Sequence, residues 1–345
     1  MPDTIRPSRL ASRRVRPRGL ALAAAALALS ACSGEQAVNA PASADAERVA
    51  NLWTGFLAFS SFVFALVIGL VVAAMRTTYT EPARPLSVQR GWTLVLAGGV
   101  VLPLVAVVGL VGSGLWIGGV VARNEPPPDL TVEIAGKRWW WEVIYRGEDG
   151  AEIARTANEI VLPVGRAARV LLTSDNVIHS FWVPTLQGKT DMIPGRVNES
   201  RLTPRETGLY RGQCAEFCGV QHAYMAFVVE VIEAEAFDAW LADQGRARAI
   251  PDDPLLRRGL AVFLEADCGT CHAIRGTPAD GGMGPDLTHL AARETLAAGT
   301  IPNTKGHLAG WIGDPQQVKP GVLMPATALR PDDQEALLAY LGSLE

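Results

Sequence analysis

Two short stretches hold the residues best suited to chemistry. Residues 214–225 contain Cys214, Cys218, His222 and Met225, so two thiols, an imidazole and a thioether fall within twelve positions. Thiolate and thioether are soft ligands that favour copper, and imidazole suits it as well. Three residues between the cysteines let one loop bring both sulfurs to a point. Zinc fits this set less well, because structural zinc sites use Cys and His without Met. The plain alternative is two buried free cysteines beside a core Met. Further along, Cys268-Gly269-Thr270-Cys271-His272 has the Cys-x-x-Cys-His spacing of c-type haem attachment. There two thiols bond the haem vinyls and the adjacent His becomes an axial iron ligand. Met is a frequent sixth ligand, and Met283 and Met324 are the candidates.

The fifth cysteine, Cys32, closes an N-terminal apolar run, so no pair is left for a structural disulfide. Residues 1–31 read as a secretion signal: Arg13, Arg14, Arg16 and Arg18 precede the apolar stretch 20–29. Residues 32–50 read as a linker. Residues 52–75 and 91–122 are uncharged runs long enough to cross a membrane, which takes about 20 apolar residues. They predict a two-pass hairpin over 51–122, with Gly98-Gly99 and Pro103 inside the second pass. A neighbouring helix could satisfy the backbone groups that Pro103 frees. Between the passes stand Arg76, Arg84 and Arg90 against Glu81 alone. The excess of positive charge places that loop in the cytoplasm and both termini on the outer face.

Residues 123–244 predict a β domain. Strand-like runs rich in Val, Ile and aromatics occupy 130–134, 139–145, 159–162, 168–173 and 227–232, followed by a helix over 233–244. Alternation puts Trp139 and Trp141 on one strand face and Trp140 on the other. Residues 245–253 read as a second linker. Residues 254–345 predict a helical unit, with helices at 255–266, 305–312 and 331–344. His289 and His307 read as surface residues. A net charge of −4 gives no reason to expect a nucleic-acid partner.

The 214–225 loop resembles that of the dinuclear copper centre, CuA, in subunit II of cytochrome c oxidases. The segment 176–184, with His179 between Ile178 and Phe181 and before Pro184, resembles that family's upstream ligand segment. The resemblance implies that Cys214 and Cys218 bridge two coppers and that His179 and His222 bind one each. Met225 is then a weak axial ligand, and the Glu216 carbonyl ligates the other copper. It also implies that the Glu216 side chain reaches a magnesium at the contact with subunit I. Trp139-Trp140-Trp141 resembles the family's aromatic segment, in which the first residue, here Trp139, accepts electrons; the usual middle Tyr is Trp140. The segment 188–196 is similar to one that contacts subunit I, and reads equally as a turn of solvated charges. Leu323-Met324-Pro325 resembles the axial segment of class I cytochromes c. That favours Met324 as the sixth ligand and leaves Met283 in the pocket wall, with Pro285 beside His272. The end of the signal, Leu29-Ser30-Ala31-Cys32, resembles a lipoprotein cleavage site, which would leave a lipid on Cys32.

Over roughly 50–345 the chain resembles subunit II of a bacterial haem–copper oxidase with a fused cytochrome c, the caa type. The resemblance implies two transmembrane helices, a cupredoxin-like antiparallel β-sandwich and an all-α cytochrome c domain. It implies an electron relay in the bacterial inner membrane. A cytochrome c-type donor would feed haem c, then CuA, then the haems of subunit I, where dioxygen is reduced and protons are pumped, with subunit III as a further partner. Relatives carry a Glu just before the second pass where this chain has Gln89, which puts a proton-path role in doubt; Glu81 is the nearest substitute. A nitric-oxide reductase of the same superfamily and a stand-alone membrane-anchored carrier are the alternatives. A quinol oxidase is disfavoured by the complete set of copper ligands.

Overall fold

The computed structural model describes residues 34, 36–80, 87–121 and 128–345. The signal-like segment, Cys32 and Glu81 lie outside these residues. Helix α1 spans Ala44–Thr80. The second pass comprises α2 (Val88–Leu96), a π-helical turn (Ala97–Val101) and α3 (Leu102–Val121). Within them, Ala44–Arg76 and Val88–Gly119 are long and apolar enough to cross a membrane, with mean hydropathies of 2.6 and 2.7. Their large side chains, Phe64, Leu104 and Trp116 among them, are exposed rather than packed into protein. The widened turn falls where Gly98-Gly99 precede Pro103, and the N–H of Leu102 reaches back to the carbonyl of Ala97. A π turn of this kind relieves the clash that Pro makes with the carbonyl four residues earlier.

Helix α1 starts inside the stretch read as linker, since residues 44–50 are helical. The Ser43 hydroxyl accepts the N–H of Ala46 at 3.0 Å, and Asp45 and Glu47 lie in the first turn, where the helix dipole favours negative charge. The same hydroxyl donates to the Leu186 carbonyl, and the N–H of Ala42 donates to Thr185 at 2.7 Å. The N-terminal end of α1 is thus pinned to the β domain.

That domain is a two-sheet sandwich. Its strands are β1 (Leu130–Lys137), β2 (Trp140–Arg146), β3 (Glu152–Ala157), β4 (Glu159–Pro163), β5 (Ala168–Ser174), β6 (His179–Trp182), β7 (Thr190–Met192), β8 (Asn198–Leu202), β9 (Gly208–Cys214) and β10 (Ala226–Ile232). One sheet runs β3-β2-β1-β5-β8 and the other β4-β10-β9-β6-β7. Pairing is mostly antiparallel, but β1–β5 and β4–β10 are parallel. Alternating residues such as Val132, Ile134, Val170 and Leu172 face inward. Trp141 is fully buried, with its ring edge-on to Phe181 and Phe227. Helix α4 (Ala234–Gln244) closes one end through Phe237 and Trp240 against Tyr145.

The C-terminal unit follows. Helix α5 (Pro254–Glu265) is capped by the Asp253 carboxylate, which accepts the N–H groups of Leu255 and Leu256 at 2.8 and 3.1 Å. A single turn, α6 (Cys268–Cys271), a short ladder of β11 (Thr295–Leu296) with β12 (Ile301–Pro302), then α7 (Lys305–Gly313), α8 (Pro315–Val318) and α9 (Pro331–Leu341) complete it. The ladder and an isolated antiparallel bridge between Ala273 and Asp280 are the departures from an all-α unit among the described residues. The 245–253 linker is held rather than loose: Arg248 donates its N–H to Arg275 O at 2.8 Å and its Nε to Thr288 O at 3.2 Å. His289, expected at the surface, is buried, because its Nδ1 meets the Glu345 carbonyl at 2.9 Å beneath Arg248. His307 is exposed as expected.

Candidate metal centre and haem-attachment site

Strand β9 ends at Cys214 and β10 begins at Ala226, so the loop carrying the soft ligands joins two neighbouring strands. Its neck is closed by the N–H of Cys214 donating to Met225 O at 2.9 Å. Gly219, at φ 118°, lets the chain turn back between Cys218 and His222. Phe181 pairs with Cys214 across β6 and β9, which brings His179, two residues earlier on β6, to the same end of the sheet.

The side chains converge. Cys214 Sγ lies 3.7 Å from Cys218 Sγ and 3.8 Å from His179 Nδ1. Cys218 Sγ lies 3.7 Å from His222 Nδ1 and 3.8 Å from Met225 Sδ. The Glu216 carbonyl is 3.1 Å from Cys214 Sγ, while the Glu216 residue as a whole is exposed. The ligating atoms of His179, Cys214 and Cys218 fall within 4.8 Å of one another, and all three residues are buried. Each imidazole turns Nδ1 to a sulfur; the far nitrogen of His179 faces Asn176 Oδ1 at 3.3 Å, which fixes the ring. Gly136 makes room for it, since a Cβ there would stand 2.8 Å from His179 Cδ2.

The two thiols titrate as a pair. The hydrogen bond with Cys218 holds Cys214 well below the usual thiol range, with burial opposing and His179 assisting. The same bond, with burial, pushes Cys218 upward. A cation replaces a thiol proton readily, because coordination deprotonates a thiol outright. Two sulfurs, a thioether, two imidazoles and a carbonyl together fit copper.

The second cluster fits haem. Cys268 and Cys271 are free and half-buried at the ends of α6. His272 Nδ1 sits 2.8 Å from Pro285 O, which leaves Nε2 for a metal. Burial lowers the His272 pKa and favours the neutral, ligating ring. Gly284 cradles that ring, as a Cβ there would be 2.5 Å from Cε1. Met324 packs partly buried against the helical core, whereas Met283, expected in the pocket wall, is 68% exposed. In the 188–196 segment, Met192 is buried on β7 opposite His179, and Lys189 pairs with Asp191 at 3.2 Å on the outside.

Trp139 lies in the β1–β2 turn and is only 9% exposed. Its Nε1 donates to Cys218 O at 2.9 Å. Its ring is approached from both units: a Cβ at Gly219, in the sandwich's own loop, would stand 3.0 Å from it, and a Cβ at Gly321, in the C-terminal unit, 3.8 Å. Asn176, Gly136 and Lys319 are neighbours of these sites that the sequence reading missed. A Gly inside a strand run marks close approach and could have exposed Gly136. Lys319 Nζ donates to Trp139 O, Tyr224 O and Ala297 O at 2.8, 2.7 and 2.9 Å. Burial pushes it down to about 7, against the pull of Cys218. Three carbonyl acceptors nonetheless match the three N–H donors of an ammonium.

Residues 146–232 match the family described as cytochrome c oxidase subunit II, periplasmic domain, and residues 256–345 match the cytochrome c family. Cytochrome c oxidase subunit 2 of Alkalihalophilus pseudofirmus is 32% identical over 339 residues, covering 95% of this chain and 97% of that protein. The protein of the same name from Bacillus sp. strain PS3 is 31% identical over 74% of this chain and 73% of its own length. Among solved structures, the periplasmic domain of subunit II of cytochrome oxidase of Bradyrhizobium japonicum is 34% identical, covers 34% of this chain and 95% of its own, and has a TM-score of 0.32.

Proposed function

Because the chain belongs to the cytochrome c oxidase subunit 2 family and carries a cytochrome c domain at its C-terminus, we propose that it relays electrons within a caa-type oxidase. In that relay haem c and dinuclear CuA, when bound, would carry electrons from a cytochrome c-type donor to the haems of subunit I, where dioxygen would be reduced and protons pumped. The observation that carries this reading is the convergence of two thiols, a thioether and two imidazoles at one end of the sandwich. In this assignment Cys214, Cys218, His179, His222, Met225 and the Glu216 carbonyl would hold the two coppers. Cys268 and Cys271 would attach the haem, and His272 and Met324 would ligate its iron. When bound, each centre takes up and passes on one electron at a time.

The protein's own residues supply rigidity. Asn176 and Gly136 fix the His179 ring and Pro285 fixes that of His272, so the ligands need not rearrange when charge changes. Trp139 would take electrons from the fused haem domain, because it is 9% exposed and meets Lys319 and Gly321 of that domain. The exposed Glu216 carboxylate is positioned for a magnesium shared with subunit I. The two apolar helices anchor the chain, with the sandwich on the periplasmic side of the bacterial inner membrane, subunit III alongside and a lipid on Cys32. The C-terminal unit is net negative, which would draw a basic donor to it.

Metal analysis and electron paramagnetic resonance of the oxidised full chain test the assignment. About two coppers per c-type haem are expected, with hyperfine structure from one electron shared by both, as a soft bridging ligand pair allows. A mononuclear copper signal, or zinc, would overturn it. The haem ligation has its own test. Met324→Ala is expected to lower the haem potential by on the order of 100 mV, within the ~0.8 V that axial ligands span. Met283→Ala should leave it in place. A redox titration in which Met283→Ala gives the large shift would reverse the assignment.

A further inference from the structure

The chain has four lysines, Lys137, Lys189, Lys305 and Lys319, among 31 basic residues. Lys319 is 2% exposed, the least exposed lysine or arginine among the described residues. Burying an ammonium is costly unless its donors are all used. Here the three acceptors come from three segments and both domains: Trp139 and Tyr224 belong to the sandwich, Ala297 to the haem unit. A compact ammonium suits three carbonyls arranged around a point, and a planar guanidinium does not.

The haem-unit backbone is shaped to meet it. Ala297 and Ala298 are consecutive non-glycine residues in the left-handed region, at φ 53° and 58°. Such residues persist where surrounding contacts over-determine them. The Ala297 carbonyl takes Lys319, and the Ala298 carbonyl takes the N–H of Ala226 across the interface at 3.1 Å. Next to Lys319, Pro320 O accepts Gln221 Nε2 at 2.7 Å, and Gly321 lies against Trp139 and Val220. The segment so fixed leads within a few residues to Met324.

We propose that Lys319 is a positioning residue for electron transfer between the two centres: its ammonium pins the haem domain to the backbone of Trp139 and Tyr224 and holds the Met324 segment against the copper loop. The pin rests on the relay reading, and it acts through Trp139 and the 218–224 loop rather than by touching either centre.

The test uses the assembled complex. Lys319→Met and Lys319→Gln are compared with the parent for the rate of electron exchange between haem c and copper after photoreduction, alongside the copper resonance and haem absorbance. Both spectra should persist, while exchange slows by about tenfold or more, as small misplacements cost in oriented reactions. Amides of the 294–300 segment should also exchange hydrogen faster in both variants. In the parent, an amine-acylating reagent should modify Lys319 far more slowly than Lys189 and Lys305. Unchanged exchange rates in both variants would overturn the pin and leave the relay standing. Equal labelling of Lys319 and Lys189 would overturn it even if neither variant assembles. Absence of haem-to-copper exchange in the parent would overturn the relay and the positioning role together.

Discussion

Cys218→Ser is expected to abolish copper binding while leaving the sandwich folded and the haem attached. Cys218 is the hub of the cluster, with Sγ within 3.7–3.8 Å of Cys214, His222 and Met225. A serine hydroxyl is nearly the same size, so the 4%-exposed position keeps its packing. The hydroxyl is a hard donor that keeps its proton at neutral pH, so it offers the cluster neither softness nor charge. Changing groups that merely orient ligands already costs 10–100-fold in metal affinity, so losing a thiolate proposed to bridge the metals should cost more than ~100-fold. The copper-to-iron ratio of the purified full chain reports the result. Oxidase turnover should fall with it, while haem absorbance stays at the parent level. His307→Ala, an exposed position on α7 of the C-terminal unit, serves as the control. A Cys218→Ser chain that retained the parent copper content would remove Cys218 from the site.

The ligand loop was legible because its chemistry is local: Cys214, Cys218, His222 and Met225 sit in one turn-rich stretch. His179 was reached through resemblance, since its approach depends on the β6–β9 pairing of Phe181 with Cys214, which no local pattern encodes. The membrane passes and the helices of the C-terminal unit were read closely, because apolar length and helical periodicity are strong signals. Strands β3, β6, β7, β8 and β9 were missed. They carry charge or polarity on one face, as in Asn198–Leu202, or Gly within the run, as in Gly208–Cys214. The two parallel pairings were missed for a different reason. They depend on which strands the connections bring side by side, and residue alternation is the same in either direction.

The interface between the two units was the least legible part. Residues 245–253 look like a spacer in composition, yet Arg248 is spent on backbone carbonyls of the haem unit. His289 looks like a surface histidine, yet the chain terminus folds over it. Lys319 looks like one more charge in a polar loop. In each case the partner is a backbone carbonyl from a distant segment, and a carbonyl leaves no mark in the sequence. Trp139 shows the functional consequence. Its neighbours in the chain suggest an aromatic surface, yet the 218–219 loop and Gly321 of the haem unit both pack on it.

Gly259→Ala is expected to give the largest loss of stability in the C-terminal unit. Helices α5 and α9 cross at this glycine, and a Cβ would lie 2.1 Å from Ala336 O and 2.5 Å from Tyr340 Cβ. The first obstacle is backbone, so no rotamer change relieves it; the helices must separate. Separation would loosen Leu260, Phe263, Leu337 and Leu341, all buried. Overpacking of this kind costs about 3 kcal/mol, which for a unit of this size lowers the melting temperature by about 10 °C or more. Gly310→Ala in α7 is the matched comparison, because nothing lies within 4 Å of its Cβ. There the same added methyl should stabilise by up to about 1 kcal/mol, through helix propensity alone. Thermal unfolding followed by haem absorbance separates the two signs. Helix α5 ends at Glu265, just ahead of Cys268, so moving it off α9 also displaces the Cys268–Cys271 turn proposed to attach haem. Gly259→Ala chains that do fold should therefore carry less covalent haem, read by the haem remaining with the polypeptide after denaturation. An unchanged melting temperature and full haem attachment would show that the crossing tolerates a side chain, and that α5 is free to shift against α9.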